Sequence, residues 1–400
     1  MVRYEIESNT QEKYARALGI ENLRFYGSVE YGGGAGCGTL LHAATAIATG
    51  AAEVVVCLRS RNRGSGGRPW AKTSNRVEGD WQFSSPYGLV RPVDQIGIIA
   101  RRMMIEAGVT REHFGAAAIA VRKHAERNPM ALMRKPLSIA EYLAARMIAD
   151  PMCLYDCCLE SDGSLACVVT SAERARDLRQ RPAYIHAAAQ GMGPNASIMT
   201  NYYKRDFLST ANTYVARDLW RRSDIQARDL RCAQLYDAFT PLILVSLEEF
   251  GFVGPGEAGA FALDGQLEWP HGRLPTNTSG GSLSEAYVHG FNLIVEAVRQ
   301  LRGTAINQVP DCEAAAPACR TAPCSCDDEQ EGVRPMTDYA KPLPYPDADT
   351  TPYWQWARKH ELRMQRCADC QEIRFPPRPM CPVCNSQRDE WVPMSGTGTV

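Results

Sequence analysis

No run of apolar residues in this chain approaches the ~20 that a membrane-spanning helix needs, so no membrane span is expected. The opening residues, MVRYEIESNT, are polar and lack the apolar stretch of a secretion signal. An excess of one charge is missing too. Lys and Arg number 44 and Asp and Glu 45, so nothing in the overall balance draws the protein to nucleic acid or an anionic membrane. These absences point to a soluble, cytoplasmic protein with no nucleic-acid partner. At 400 residues the chain has room for two or three domains.

Cysteine, by contrast, is abundant at 15 residues, and its distribution does not suggest one disulfide framework. Cys57, Cys153, Cys157, Cys158, Cys167 and Cys232 sit among apolar residues, where a reduced thiol is a small hydrophobe. Cys312, Cys319, Cys324 and Cys326 fall in a stretch with almost no large apolar side chain, and four more close the chain.

Up to about residue 303 the pattern is α/β. An Ala-rich helix over 37–49 ends at Gly50 and precedes a buried strand over 53–58. Amphipathic spacing predicts helices at 93–107, 110–127, 138–148, 172–179, 207–222, 239–251 and 284–302, and strands at 165–171 and 183–190. Layered helices around mixed sheets follow from this alternation. Lys123 and His124 read as a solvated face. Residues 304–335 cannot bury a core face and are expected to be a disordered linker or a frame-shifted junction between two genes, with Met336 as a second start. A short helix around 351–360 precedes the last cysteines.

Those cysteines are Cys367-Ala-Asp-Cys370 and Cys381-Pro-Val-Cys384, two CxxC knuckles ten residues apart. Four thiolates suit tetrahedral zinc, with iron as a minor alternative, and leave no position open for chemistry. The expected role is structural. Around them, Tyr353-Trp-Gln-Trp356, Arg374-Phe-Pro-Pro-Arg378, Trp391 and Ser395-Gly-Thr-Gly398 resemble the DUF35 family. That resemblance, over about 345–400, implies a helix and rubredoxin-like zinc ribbon leading into an OB-fold whose other strands lie beyond Val400. It also implies a partner that is a thiolase-like enzyme.

Upstream, Tyr31-Gly-Gly-Gly-Ala-Gly-Cys-Gly38, Asp162-Gly163, Tyr236-Asp-Ala-Phe-Thr240 and Asn277-Thr-Ser-Gly-Gly281 with Glu285-Ala-Tyr-Val-His-Gly290 resemble the thiolase superfamily. The likeness is nearest its lipid-transfer (sterol carrier) and steroid side-chain aldolase branch. It implies a layered α/β/α/β/α domain, incomplete at both ends. Residues 1–172 would be the remainder of the first half and 173–303 the second half, followed by the 304–335 stretch and a 336–400 DUF35-like module. A homodimer docked to DUF35 modules is the implied assembly.

The departures from thiolase set the expected chemistry. Gly33 stands at the nucleophile's place, Cys37 lies one helical turn beyond it, Tyr236 replaces the motif asparagine and Tyr287 the motif histidine. Covalent acyl transfer loses its nucleophile. A phenol can pass a proton to or from an alcohol and steady an enolate. The resemblance therefore implies retro-aldol cleavage of a 3-hydroxyacyl-CoA of steroid side-chain type, with the coenzyme A thioester as substrate. Two alternatives are an acyltransferase using Cys37 or another cysteine and a non-catalytic acyl-CoA or lipid carrier. The candidate catalytic residues are Tyr236 and Tyr287, with His289 and Asp237 beside them. The candidate pocket residues are Gly33, Gly34, Tyr87, Asn277, Gly280 and Gly281.

Overall fold

The computed structural model describes residues 1–4, 8–29, 33, 35–65, 76–193, 210–318 and 342–397. The chain forms two compact units, residues 1–68 with 95–326, and residues 69–94 with 327–400.

The first unit carries a four-stranded sheet in the order Gly27–Val29, Val2–Tyr4, Val54–Asn62, Asp162–Thr170. Val2–Tyr4 runs parallel to both its neighbours. The last two strands pair antiparallel over their full length, from Val54 opposite Thr170 to Asn62 opposite Asp162. The helix Ala35–Ala48 lies close against the sheet because its inner face is small: Ala35, Gly36, Gly38, Ala43 and Ala46 are buried. A Cβ on Gly38 would stand 3.0 Å from Val29 Cγ1. Phe291 and Ile294 of the helix Phe291–Arg302 join the same apolar cluster.

The helix Arg111–Arg127 buries Phe114, Ala117, Ala118, Val121, His124 and Ala125. His124 thus belongs to the core, not to a solvated face. It continues the row of Ala117, Ala120 and Val121 at helical spacing. Its Nδ1–H donates to the Asn277 carbonyl at 3.2 Å, and its Nε2 accepts from the Trp269 N–H at 2.8 Å. Burial holds the imidazole down to about 4, against a backbone contact to Asn277 that raises it. The unfolded histidine takes up a proton near its ordinary value of ~6.5, the folded one only near 4. Stability from this group is therefore present above about pH 6.5 and lost as pH falls towards 4, by at most ~3 kcal/mol. Urea unfolding of wild type and His124→Gln at about pH 7 and pH 4.5 is expected to show the gap between them shrinking in acid. An offset independent of pH would contradict this reading.

Other expected elements are shorter or absent. The helix predicted at 138–148 spans Ile139–Ala144, capped by Ser138 and Glu141, and gives way to the strand Met147–Ala149. Residues 183–190 form no strand, because no ladder partner lies beside them among the described residues. The stretch expected to be a linker or junction from 304 is ordered as far as 318. Asn307 donates to the carbonyls of His124 and Thr278, and Val309 and Cys312 pack beside Cys232. The strand Ala315–Ala318 then pairs parallel with the buried strand Cys232–Leu235. Residues 319–341 lie outside the described residues.

In the second unit the helix Thr351–Ala357 accompanies a three-stranded antiparallel sheet, Ile373–Arg374, Arg363–Cys367 and Asp389–Pro393. The segment 76–94 belongs to this unit. Phe83 packs on Tyr353, Trp354 and Phe375, with ring centroids at 5.3, 5.6 and 5.0 Å. The buried Gln82 accepts from the Trp354 indole at 2.9 Å. Among the described residues no OB barrel is present, and residues 398–400 lie outside them.

Candidate functional site

Tyr236 follows directly on the buried strand Cys232–Leu235. That strand is held by Asn277, whose side chain accepts from the Leu235 N–H at 2.7 Å and donates to the Leu235 carbonyl at 2.8 Å. Asn277 has a φ of 56°, a conformation that asparagine tolerates better than most residues. Its amide thus does the work of a neighbouring strand and fixes where Tyr236 emerges.

The Tyr236 ring lies between two glycines. A Cβ on Gly33 would overlap the ring itself, and one on Gly290 would come within 2.8 Å of its Cδ2. The space beside Gly33 is therefore filled by the phenol ring, so glycine at 33 and tyrosine at 236 depend on each other. Gly33→Ala is expected to displace the ring and lower turnover by about 100-fold, the usual effect of a misplacement near 1 Å. Steady-state kinetics beside a thermal melt checks this, and activity within twofold of wild type would contradict it.

Tyr287 reaches the same point from the other side. The helix predicted over 284–302 is broken here. Gly281–Glu285 forms a π-helical turn, Ala286 is extended, and His289 and Gly290 take φ values of 55° and 80° before the helix starts at Phe291. The intervening loop carries Tyr287 and His289 inward. The Tyr287 N–H donates to Ser161 Oγ at 2.8 Å. Both tyrosines are buried, and their hydroxyls are 2.8 Å apart. The His289 ring meets the Tyr287 ring edge-on at 5.3 Å. Burial pushes the Tyr287 phenol above its ordinary value, with Cys158 adding to the rise and Arg61 the first group opposing it.

Two residues missed in the sequence complete the site. Arg59 and Arg61 continue the buried face of Val55 and Cys57 on the strand Val54–Asn62. Arg59 Nη2 lies 3.1 Å from His289 Nδ1. A guanidinium only donates, so Nδ1 accepts and the ring hydrogen sits on Nε2. The Arg61 guanidinium carbon stands 4.5 Å from the centre of the Tyr287 ring. Alternation along the strand was the signal that could have found them.

Asp237 is fully buried, and its carboxylate accepts from the N–H groups of Ser282 at 2.9 Å and Leu283 at 3.4 Å. It caps the π-helical turn, not the helix that follows it in sequence. Desolvation raises it to about 6 against those hydrogen bonds. Gly281 is required there, since a Cβ would overlap the Asp237 carboxylate, and a Cβ on Gly280 would come within 2.6 Å of Ala125 Cβ. Asn277, Gly280 and Gly281 thus brace the site. Tyr87 is exposed in the second unit, and Gly34 lies outside the described residues. Cys37 packs against the apolar cluster under the sheet. Cys158, in the loop crossing near Tyr287, has its thiol pushed well up by burial and makes a poor thiolate. The arrangement offers two phenols and a buried cation.

In the second unit Cys367, Cys370, Cys381 and Cys384 bring their four sulfurs within 4.8 Å of one another. Cys367 and Cys384 are 3.6 Å apart at sulfur, and Cys370 and Cys381 3.5 Å. Zinc–sulfur bonds of about 2.3 Å arranged tetrahedrally place sulfurs at about this separation, so the four fit the ion. Each CxxC is followed by a residue of positive φ, Gln371 at 64° and Asn385 at 59°, which turns the chain back.

The thiolase fold with a cysteine ribbon is matched by two families. One described as "Thiolase C-terminal domain-like" covers residues 175–320, and one described as "ChsH2, rubredoxin-like zinc ribbon domain" covers 354–390. A 17-hydroxy-3-oxo-4-pregnene-20-carboxyl-CoA lyase of Mycobacterium tuberculosis is 47% identical over 321 residues, 78% of this chain and 83% of the relative. A steroid side-chain-cleaving aldolase of Thermomonospora curvata is 44% identical over 78% of this chain and 81% of its own. Among solved structures, an Ltp2-ChsH2(DUF35) aldolase superposes with a TM-score of 0.74 at 44% identity, over 78% of this chain and 81% of that one. The chain belongs to the thiolase-fold steroid side-chain aldolases, which are carbon–carbon lyases.

Proposed function

We propose that this protein cleaves a 17-hydroxy steroid acyl-CoA between the carbinol carbon and the carbon next to the thioester, giving a ring ketone and a short acyl-CoA. The observation that supports this best is the hydroxyl-to-hydroxyl contact of Tyr236 and Tyr287 in the space where Gly33 leaves no nucleophile. One tyrosine, as the phenolate, takes the proton of the hydroxyl, the C2–C3 bond breaks towards the thioester, the other gives its phenol proton to the resulting enolate at C2, and the contact between the two hydroxyls returns the first proton to it. No atom is gained from water or a cofactor, and no bond to the protein forms. His289, fixed by Arg59, and Asp237, fixed by the π-helical turn, hold the loop that carries Tyr287.

The second unit supplies zinc for structure only, as a DUF35-type module. A homodimer is the proposed assembly. Asp162–Thr170 is an edge strand nine residues long, with Val168 64% exposed, and a strand of this length is usually covered. The cytoplasm is the proposed location. Among the described residues no disulfide forms, and no helix is long and apolar enough to cross a membrane.

The test is incubation with a 17-hydroxy steroid acyl-CoA, alone and with a separate full-length DUF35 partner. Ketone and short acyl-CoA in equal amounts are expected. Tight binding with no turnover in either case would favour a lipid carrier instead.

A further inference from the structure

The strand Val54–Asn62 turns Val55, Cys57, Arg59 and Arg61 to one buried face. The first two are apolar and lie in the core cluster. The last two bring positive charge into the same row. A buried guanidinium is strongly unfavourable unless a negative or π-rich group faces it. Arg59 meets Ser8 Oγ at 3.4 Å and His289. Arg61 meets the face of Tyr287, and the hydroxyl on that ring meets Tyr236. Opposite Arg61 in the sheet is Gly163, whose missing side chain leaves room for Val288 of the tyrosine loop, since a Cβ there would be 3.0 Å from Val288 Cγ2. The backbone is thus arranged to let this loop lie down over the arginine.

We infer that Arg61 is a positioning residue acting through Tyr287, making it the member of the pair on which negative charge rests during turnover. This rests on the reading of the two tyrosines as the acid–base apparatus. In one cycle Tyr287, in the minor phenolate fraction that Arg61 enlarges against burial, takes the substrate hydroxyl proton, and Tyr236 gives its own proton to the enolate carbon. The 2.8 Å bond between them then returns the first proton from Tyr287 to Tyr236, restoring the phenolate. Protons balance, and none is exchanged with water.

The groups around the Tyr287 phenol are Arg61 from the strand, Arg63 just beyond its end, Cys158 from the crossing loop, Tyr236, and His289 of its own loop. Glu160 and Asp237 act in turn on Cys158, raising its thiol further. Burial and then Cys158 disfavour the phenolate. Arg61 is the first of the groups favouring it, ahead of Tyr236 and Arg63. Burial works against the charge on Arg61 as well, yet Tyr287 more than Tyr236 helps to hold it above its ordinary value. The two groups support each other's charged forms.

The experiment places a fluorinated tyrosine, whose phenol is more acidic, at position 287 of the full chain. Its ionisation is followed by ¹⁹F NMR without substrate in the wild-type, Arg61→Lys, Arg61→Gln and Arg61→Met backgrounds. Removing the cation is expected to raise the midpoint by about one pH unit or more, with Lys in between. An equal midpoint in wild type and either neutral variant overturns the proposal. Gln serves if Met does not fold. Turnover is read in parallel on chains with ordinary tyrosine. The expected result is a kcat loss of about tenfold or more, with KM within twofold, since one unit is tenfold in phenolate. A wild type that releases no ketone would sink the aldolase reading, whereas the ¹⁹F midpoint decides Arg61 by itself.

Discussion

Tyr236→Phe and Tyr287→Phe are each expected to lower kcat by about 100- to 10,000-fold, the range that a positioned acid or base contributes. KM is expected to stay within about twofold, because the hydroxyls act on the proton in flight more than on bound substrate. The fold is expected to survive. Each change removes one partner of the buried hydrogen bond between the two hydroxyls, at about 1–3 kcal/mol. The double variant is expected to lose little more than the worse single one, since two groups in one relay act as a unit. Full additivity of the two losses would mean independent roles and would weaken the relay. Retention of a tenth or more of wild-type activity in either single variant would move the acid–base function elsewhere.

The second large effect concerns the ribbon. One zinc per chain is expected by metal analysis. Chelation, or Cys381→Ser, is expected to unfold the region of 363–393, because two of its four thiols are buried and, besides Cys367, the three strands bury only the polar Gln365 and Arg374. Binding of zinc to such ribbons is worth about 10 kcal/mol or more, far above what three short strands contribute alone. Trp354, Trp356 and Trp391 lie on the ribbon or on its helix, so their fluorescence reports the change. Unchanged fluorescence after complete metal removal would show that the strands stand without zinc. Ketone release is not the readout here, since no ligand position on this ion is open.

The parts of the site legible in the sequence were those written in residue type and spacing. Two CxxC knuckles announce a ribbon because tetrahedral sulfur ligation needs that spacing. Gly33, Tyr236 and Tyr287 stand out against the thiolase pattern because each replaces a residue with a defined chemical task. That the two tyrosines share a site was expected from the resemblance, but their direct contact was not legible. It depends on a π-helical turn and two successive positive φ values at His289 and Gly290, which interrupt a stretch whose apolar spacing continues as a helix. Arg59 and Arg61 were passed over because the strand was read to end at residue 58, although they extend the row of Val55 and Cys57. His124 was misread because, next to Lys123, a titratable group on a helix was taken as solvated. Residues 304–318 were expected to lack order because large apolar side chains are scarce there. They are ordered because Asn307, Gln308 and a parallel strand supply backbone and amide hydrogen bonds instead. In each case a polar group was satisfied by a partner far away in sequence, and one-dimensional patterning does not carry that information.

The claim at the centre is that C–C cleavage proceeds here without a bond to the protein. Rapid quenching of wild type during turnover of the steroid acyl-CoA, followed by intact-mass analysis, tests it most directly. The expected result is ketone accumulating while the protein mass stays unmodified throughout. An acyl adduct on Cys37, Cys158 or any other side chain, formed and discharged at the rate of turnover, would contradict it.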